Sequence, residues 1–236
     1  MGVVRWMIAA FLSILLLPGA VMAQANQCNI PSNLPAAAVE AAPDGQAHVS
    51  PLTGYMLALS WSPEFCKAHP GADQAQQCGS KKFGFILHGL WPDGSSKDGL
   101  QWCKSAVSVP AEIVRQSFCA MPSVKLQAHE WAKHGTCMTD DPARYFRTGT
   151  MLFNAIKWPD MNALSRAQPS VASFVSKVIG LNPGLRANML SVQTGKGGWL
   201  KEVHLCLGTD LHTRACPRYV RGARPEQRLK IWRAEG

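Results

Sequence analysis

The sequence predicts a single α+β domain that is stabilised by disulfide bonds. Short apolar runs typical of strands occur beside longer segments with helical spacing, and the two kinds do not alternate regularly as in a parallel α/β fold. The chain also carries eight cysteines, an even number, after a leader typical of exported proteins. A length of 236 residues suits one domain with a substantial core, and a second domain would be hard to fit.

The first residues have the pattern of a signal peptide. A basic start that contains Arg5 precedes the apolar run WMIAAFLSILLLPGAV, and small residues follow near Ala23 and Ala25. We expect residues 1–23 to be removed, which would make the mature protein secreted or periplasmic; a retained membrane anchor is the alternative. The short leader and the lack of an Asn-x-Ser/Thr sequon favour a bacterial source.

An irregular lead-in and two strands are predicted in the first half of the chain. Residues 24–53 are rich in Ala, Pro, Asn and Gln and lack periodicity, so we expect a lead-in that is held by Cys28. The short alternating run at residues 55–61 predicts a strand, and the apolar run at residues 83–91 predicts a buried one. Residues 54–236 would form the folded domain, including a basic C-terminal tail.

Helical spacing dominates the second half of the chain before one last strand. Pro110 lies near a helix start, and Gly135 is placed to end the second helix. Pro169 and Gly180 mark the two ends of the last one. We predict helices over residues 110–121, 124–134, 142–158 and 170–181, and a late strand over residues 199–208.

The cysteines predict four disulfide bonds, because all of them follow the leader. A zinc site is less favoured, since the sequence contains no C-x-x-C pair. Short loops favour the local bridges Cys66–Cys78 and Cys206–Cys216, and the sequence leaves the full pairing open. The other four cysteines are Cys28, Cys103, Cys119 and Cys137.

The formal net charge of +9 favours polyanionic partners or anionic membranes. Basic residues are densest in the C-terminal tail, where only Glu226 and Glu235 oppose them. A solvated surface strip and a patch that steers substrate are both compatible with this pattern. The basic residues of the tail are Arg214, Arg218, Arg221, Arg224, Arg228, Lys230 and Arg233.

The segment HEWAKHGTC, residues 129–137, resembles the zinc motif H-E-x-x-H with one residue too many. Histidines four residues apart lie about 40° apart around a regular helix, whereas His129 and His134 are five apart and lie about 140° apart. A zinc hydrolase would therefore require a distorted helix. Spacings of three and four instead link both histidines with Glu130 and Lys133. Such a cluster can transfer protons and hold an anion without a metal, although a solvated Glu–Lys pair is the simpler alternative.

A second candidate cluster is FILHGLWPDG, in which His88 ends an apolar run. Gly89 permits close approach of a backbone or ligand, Trp91 offers a stacking face, and Asp93 lies in a turn. Stacking on an aromatic side chain is a common way of holding unpaired bases. Ordinary structural roles for His88 and Trp91 are the alternative.

Together, FILHGLWP and HEWAKHGTC resemble the two conserved active-site segments of the ribonuclease T2 family. LALSWSPEFC resembles the early strand of that family, and LKEVHLCLG with the following ACP resembles its late strand and cysteine pair. The resemblance covers most of residues 55–217 and leaves the lead-in and the basic tail unexplained. It implies an α+β domain with a central antiparallel sheet flanked by helices, and a metal-independent endoribonuclease of low base specificity.

The resemblance also implies a role for each catalytic residue. His134 resembles the general base that deprotonates the ribose 2′-OH, and His88 resembles the general acid that protonates the leaving 5′ oxygen. His129 and Lys133 resemble the phosphate-binding groups, and Glu130 the residue that stabilises the transition state. The implied products are a 2′,3′-cyclic phosphate and a 5′-hydroxyl, followed by a 3′-phosphate.

For substrate binding, Trp91 and Asp93 resemble the residues that stack on a base and hydrogen-bond to it. We expect single-stranded RNA as substrate, no cofactor or metal ion, no obligatory protein partner and no membrane anchor after signal cleavage. The protein is expected to be a monomer. A family member that binds RNA, cells or membranes without turnover is the alternative, and the complete set of five catalytic residues argues against it.

Overall fold

The structure is a computed structural model that describes residues 28–71, 75–79, 83–95 and 98–233. The predicted signal peptide at residues 1–23 lies outside this part of the chain. Among the described helices, none has the length and apolar character needed to cross a membrane.

Four antiparallel strands form the central sheet, which confirms the predicted α+β class. Their order in the sheet is β2, β1, β4, β3, so the three predicted strands are adjacent, with β1 between β2 and β4. Strand β3 was not predicted, because its sequence LSVQT is short and mixes apolar and polar residues. The strands are β1 (Gly54–Trp61), β2 (Phe85–Asp93), β3 (Leu190–Thr194) and β4 (Leu200–Leu207).

Helices flank this sheet, and several begin at a residue whose side chain caps the first turn. Ser123, Asp141, Asp160 and Ser170 each accept a hydrogen bond from a backbone N–H of the helix that follows. The helices are α1 (Ser62–Ala68), α2 (Ala75–Cys78), α3 (Ala111–Ser117), α4 (Val124–Glu130), α5 (Thr136–Met138), α6 (Pro142–Ala155), α7 (Met161–Ala167) and α8 (Val171–Leu181). Helices α1, α2, α5 and α7 were not predicted.

A π-helical turn, Trp131–Gly135, joins α4 to α5. The backbone N–H of Thr136 donates to the carbonyl of Trp131, five residues earlier. The prediction that Gly135 ends the helix was wrong, since Gly135 has right-handed helical angles. A side chain at Gly135 would overlap the Trp131 ring, so close packing explains the glycine. Gly180 likewise lies inside α8 and not beyond its end.

Strand β2 contains a β-bulge at His88. On β1, Ala58 pairs with Gly89 and Leu59 pairs with Leu87, which leaves His88 as the additional residue. Successive side chains of a regular strand point to opposite faces, and a bulge changes this alternation. Residues that follow the bulge therefore exchange faces relative to those that precede it.

Four disulfide bonds tie the periphery to this framework, as predicted. The local bridges Cys66–Cys78 and Cys206–Cys216 are present, and the remaining pairs are Cys28–Cys119 and Cys103–Cys137. Cys28–Cys119 holds the lead-in across a sequence separation of 91 residues. A bridge over so long a loop stabilises the fold by about 4–5 kcal/mol in the chain-entropy description.

Candidate active site

The bulge in β2 brings His88 to the same face of the sheet as Trp91. In a regular strand, residues three apart point to opposite faces, yet these two rings meet edge to face with centroids 5.2 Å apart. Trp91 also stacks on His134 at 5.4 Å. The indole therefore lies between the two histidines for which the family resemblance implies acid and base roles.

Glu130 lies next to the Trp91 and His88 rings and is almost completely buried, with 2% of its side chain exposed. Its carboxylate accepts the indole N–H of Trp91 at 2.8 Å and lies 3.5 Å from Nε2 of His88. Burial raises the pKa of Glu130 and outweighs the lowering effect of His88, Trp91, His129 and Lys133. A side chain on Gly89 would overlap the Glu130 carboxylate, so the glycine makes room for this contact.

Glu202 on β4 is a site residue that the sequence analysis missed. Its Oε1 lies 2.6 Å from Nδ1 of His88 and accepts the Ser60 hydroxyl at 2.7 Å, while Oε2 pairs with Nε2 of His204 at 2.7 Å. Glu202 and His204 are two residues apart on a predicted strand and must share one face. This period-two polar pair was the available signal, but nothing in the sequence linked it to His88.

The surroundings of His88 favour its protonated form. Burial lowers the pKa of His88, but the hydrogen bond to Glu202 and the negative charges of Glu130 and Glu202 outweigh burial and raise it. Burial also disfavours the charged form of Glu202, yet hydrogen bonds to His204 and His88 lower the pKa of Glu202 strongly. Since a carboxylate accepts at Nδ1, the ring is held with Nε2 directed into the site.

His134 has the opposite environment. Burial and the charge of Lys133 lower its pKa to about 3, against a weaker opposing effect of the Leu100 carbonyl. Nδ1 of His134 lies 3.4 Å from that carbonyl oxygen, which can only accept a hydrogen bond. The neutral ring therefore carries its proton on Nδ1 and leaves Nε2 free to accept one.

The segment from Leu100 to Cys103 supports the π-helical turn from outside. The Trp102 backbone N–H donates to the carbonyl of Lys133 at 2.7 Å, and the Cys103–Cys137 disulfide clamps the helix directly after the turn. Trp102 itself has φ 56°, an uncommon conformation for a bulky residue. The hydrogen bond to Lys133 and the disulfide hold this strained conformation in place beside the site.

His129 faces the lead-in. Its Nδ1 lies 2.8 Å from Oε1 of Glu40, and its ring meets Trp102 edge to face with centroids 5.6 Å apart. Glu40 was another residue that the sequence did not reveal, because it lies in an irregular segment 89 residues from its partner. Lys133 is half-buried, and within the described part of the chain no side chain forms a hydrogen bond or ion pair with its ammonium group. That charge is available to an anion.

The two predicted base-binding residues contact protein groups. Trp91 is surrounded by His88, His134 and, at 5.3 Å, His204. The Asp93 carboxylate accepts the Tyr219 hydroxyl at 2.7 Å and lies 3.6 Å from Arg214, with 9% of its side chain exposed. Burial and Asp93 raise the pKa of Tyr219 to about 12. These contacts fix the start of the tail against the end of β2.

A cleft of about 430 Å³ opens beside His88 and His129. Helix α1 contributes Phe65 and Ala68 to one wall, and the start of α4 contributes Leu126 to the other. Most of its surface is apolar, and charged side chains line it as well, among them Glu40, Glu64 and Lys125.

The helix is distorted where the zinc hypothesis required it, but the π-helical turn sends its two histidines to different partners. His129 contacts Glu40, while His134 contacts Leu100 and Trp91. The described residues include no group of three or more His, Cys, Asp or Glu side chains placed to hold a metal ion.

The fold and the site define a class of protein: an α+β domain in which two histidines contact the same indole, beside a buried carboxylate and an available lysine. The family model for the Ribonuclease T2 family matches residues 53–216. The chain belongs to this family, which confirms the resemblance inferred from the two motifs.

Relatives support the same assignment. The chain is 37% identical to a probable ribonuclease of Haemophilus influenzae over 135 residues, a match that covers 52% of this chain and 49% of that protein. It is 46% identical to a ribonuclease of Aeromonas hydrophila over 84 residues, or 35% of this chain and 36% of that one. These matches thus span half or less of either relative. The chain is 26% identical to mouse ribonuclease T2-A over 208 residues, a match that covers 76% of this chain and 74% of that protein.

Solved structures support the fold. The SF11-RNase associated with gametophytic self-incompatibility in Nicotiana alata has a TM-score of 0.60 at 17% identity, covering 78% of this chain and 100% of that one. Trichomaglin, described as an S-like ribonuclease, has a TM-score of 0.59 at 18% identity, covering 77% and 98%.

Proposed function

We propose that this protein is an endoribonuclease that cleaves single-stranded RNA by transesterification. One observation carries the proposal: two imidazoles lie against the same indole, and their pKa values are displaced in opposite directions. At a pH between those two values, His88 is protonated and His134 is neutral. This is the starting state required of a general acid and a general base.

In the first step, Nε2 of His134 removes the proton of the ribose 2′-OH, and the oxygen attacks the adjacent phosphorus. The bond to the 5′ oxygen of the next nucleotide breaks as Nε2 of His88 donates its proton to that oxygen. The products are a 2′,3′-cyclic phosphate and a 5′-hydroxyl. Each proton transfer contributes about 10²–10⁴-fold. Hydrolysis of the cyclic phosphate to a 3′-phosphate uses the same groups in reversed roles.

Lys133 and His129 would hold the phosphate, and the Lys133 ammonium would oppose the negative charge that grows on its oxygens. Lys133 suits this role because its ammonium has no protein partner among the described side chains. Glu40 would orient the His129 ring. Glu130 would position Trp91 and the acid, His88, through its two contacts.

The nucleotide that carries the leaving oxygen would occupy the cleft beside His88, since that residue lines the cleft and must reach the oxygen. The predicted contact of Trp91 with a base stays a prediction. For Asp93 we now favour a positioning role, because Tyr219 and Arg214 already engage its carboxylate. An apolar cleft and stacking discriminate weakly among bases, which is compatible with low base specificity.

The chemistry uses only side chains of this chain and calls for no cofactor. DNA would bind without being cut, because it lacks the 2′-OH nucleophile. Four disulfide bonds favour an oxidising compartment, which supports the proposed export to the periplasm or the exterior. A monomer is proposed because every catalytic group comes from one chain.

The test is cleavage of a short RNA and its DNA counterpart by the oxidised protein in excess EDTA, with mass spectrometry of the products. We expect cyclic-phosphate ends from RNA only, and loss of cleavage in His88→Ala and in His134→Ala. His212→Ala is the matched control, since that histidine is exposed and outside the site. Absence of cleavage by the folded wild type from mildly acidic to neutral pH would reject the proposal.

A further inference from the structure

Two tryptophans and three cations form an exposed surface next to the proposed active site. We call it the Trp–Lys surface and define it by Lys67, Trp199, Lys230, Trp232 and Arg233. The Trp199 and Trp232 rings meet at 5.2 Å, and both are half-buried. Lys67 Nζ lies 3.0 Å from the centroid of Trp232, and Lys230 Nζ lies 5.6 Å from that of Trp199. Aromatic rings interleaved with cations are the usual platform for single-stranded nucleic acid.

The C-terminal tail builds half of this surface and lies outside the matched family segment, residues 53–216. It is firmly held: Leu229 and Ile231 are buried, and the backbone of Lys230 bonds to Gly198 and Leu200 on either side of Trp199. Alternation of the tail then directs Lys230 and Trp232 outward. A loose basic tail would not keep two indoles side by side.

The surface contains a cleft of about 240 Å³, and none of the described residues that line it is Asp or Glu. Trp199, Trp232, Lys230 and Arg233 all contribute to that lining. Glu64, in the same helix as Lys67, is half-buried and lines the active-site cleft; burial raises its pKa, and the charge of Lys67 lowers it in part. The charge complements a phosphate backbone, and the indoles complement bases.

Two connections link the Trp–Lys surface to the proposed active site. Trp199 directly precedes β4, and Glu202 of that strand bonds to His88, about 10 Å along the strand. Helix α1 separates the two clefts: Phe65 lines the active-site cleft, while Lys67 reaches Trp232. Lys201, between them, is exposed and also lines the active-site cleft.

We propose that the Trp–Lys surface binds nucleotides of the RNA strand on the 3′ side of the scissile phosphate. This inference rests on the proposed function, because it is His88 that gives the 3′ side its direction. The leaving 5′ oxygen belongs to the 3′ nucleotide, and the cleft that His88 lines leads toward α1 and Lys201. Beyond them, phosphates would draw Lys67 and Lys230 off the indoles, and the exposed ring faces would receive bases.

Chimeric oligonucleotides test the direction. Each is made of 2′-deoxynucleotides with a single ribonucleotide, so that cleavage occurs at one known phosphate. A ribonucleotide near the 5′ end gives a 3′-extended substrate, and a ribonucleotide near the 3′ end gives a 5′-extended one. For Trp199→Ala with Trp232→Ala, we expect kcat/KM on the 3′-extended substrate to fall by about 5- to 100-fold, the usual effect of lost base stacking. Cleavage of a dinucleotide and of the 5′-extended substrate should not change.

Two further double variants guard against misfolding and charge effects. Lys67→Gln with Lys230→Gln keeps both indoles and should give the same selective loss, with a weaker dependence on salt. Lys157→Gln with Lys177→Gln removes the same charge from other exposed positions and should behave as wild type. Equal losses on both extended substrates, or no loss on either, would overturn the inference.

Binding of an all-deoxy oligonucleotide, measured by fluorescence anisotropy, separates this inference from the proposed function. The probe cannot be cut, so its affinity does not depend on catalysis. If the wild type cleaves no RNA, the proposed function fails, and the surface still predicts weaker binding in the tryptophan and lysine double variants than in the control. Unchanged affinity in both would reject the surface even if cleavage is found.

Discussion

Replacing Glu202 with glutamine should change the pH profile of RNA cleavage on its alkaline side. The variant keeps the size of the side chain and removes the negative charge that lies 2.6 Å from Nδ1 of His88. Glu202 raises the pKa of His88 against the effect of burial, so the variant lowers that pKa. The alkaline limb of kcat/KM, where the acid loses its proton, should therefore move to lower pH. The acid limb, which belongs to His134, should stay where it is.

The size of the effect follows from the geometry. A hydrogen bond to a charged group contributes about 1.5–3 kcal/mol, and the 31% exposure of the His88 side chain reduces this to about 1–2 kcal/mol. We therefore expect kcat/KM to fall by about 5- to 30-fold on the alkaline side of the optimum and by much less on the acidic side.

The assay is kcat/KM for a dinucleotide substrate at several pH values at constant ionic strength. Glu112→Gln is the control for charge, because Glu112 is exposed and, among the described residues, its side chain bonds to Gln116 of the same helix alone. Ser60→Ala, which removes one hydrogen bond to Glu202, should shift the limb less. An equal loss at every pH with an unmoved limb would refute the reasoning and make Glu202 a purely structural residue.

Three further predictions concern the base, the glycines and the disulfide at the site. His134 stays neutral down to about pH 3 in the folded protein, whereas an unfolded histidine takes up its proton near pH 6.5, so His134 costs stability as pH falls through that window. Between pH 6.5 and 3.5, the free energy of unfolding measured in urea should fall by about 2–4 kcal/mol less for His134→Asn than for wild type. If the unfolding free energies of the two proteins depend on pH in parallel, the lowered pKa is contradicted. Gly89→Ala should abolish cleavage and lower the free energy of unfolding by about 1–3 kcal/mol, because the added methyl group overlaps the Glu130 carboxylate. Gly180→Ala is the control: its methyl group meets open space in a helix and should raise the free energy of unfolding by about 0.5–1 kcal/mol. Cys103→Ser with Cys137→Ser should lower kcat even at temperatures at which the variant is fully folded, because the disulfide holds the π-helical turn in place. Full activity of the folded variant would show that the turn does not need this disulfide.

The site residues that the sequence predicts belong to recognisable short segments, whereas the site residues that it does not predict are brought to the site by tertiary structure. His88 and Glu130 stand in apolar or helical contexts that make a polar residue conspicuous, and the structure brings their side chains together. Glu202 and Glu40 meet their histidines across 114 and 89 residues, and no pattern within one segment encodes such a meeting. The same holds for the fold: β1 and β4 follow from alternation, whereas the bulge at His88 exists only in the pairing of β2 with β1.

The helix prediction failed at Gly135 for a related reason. A glycine after an apolar stretch usually ends a helix, but here it accommodates the Trp131 ring, and the chain widens into a π-helical turn instead. The angle of about 140° between His129 and His134 assumed a regular helix and does not describe this segment. Which partner each histidine meets is set by the Leu100–Cys103 segment and by the lead-in, neither of which has a recognisable motif.

The oppositely displaced pKa values also predict which product accumulates. Transesterification starts from protonated His88 and neutral His134, the state that their surroundings stabilise. Hydrolysis of the cyclic phosphate needs the reverse, with His88 neutral to activate water and His134 protonated to return a proton to the 2′ oxygen. That state is rare at any pH, because the pH that protonates His134 also protonates His88.

We therefore expect the 2′,3′-cyclic phosphate to be released and to accumulate before any 3′-phosphate forms. Phosphorus NMR or mass spectrometry of a dinucleotide reaction over time measures both species. In Glu202→Gln, the lowered pKa of His88 makes its neutral form more accessible, so the rate of hydrolysis relative to transesterification should rise. A constant ratio of the two products from the earliest time point, in wild type and variant alike, would mean that the two histidines do not control the two steps in this way.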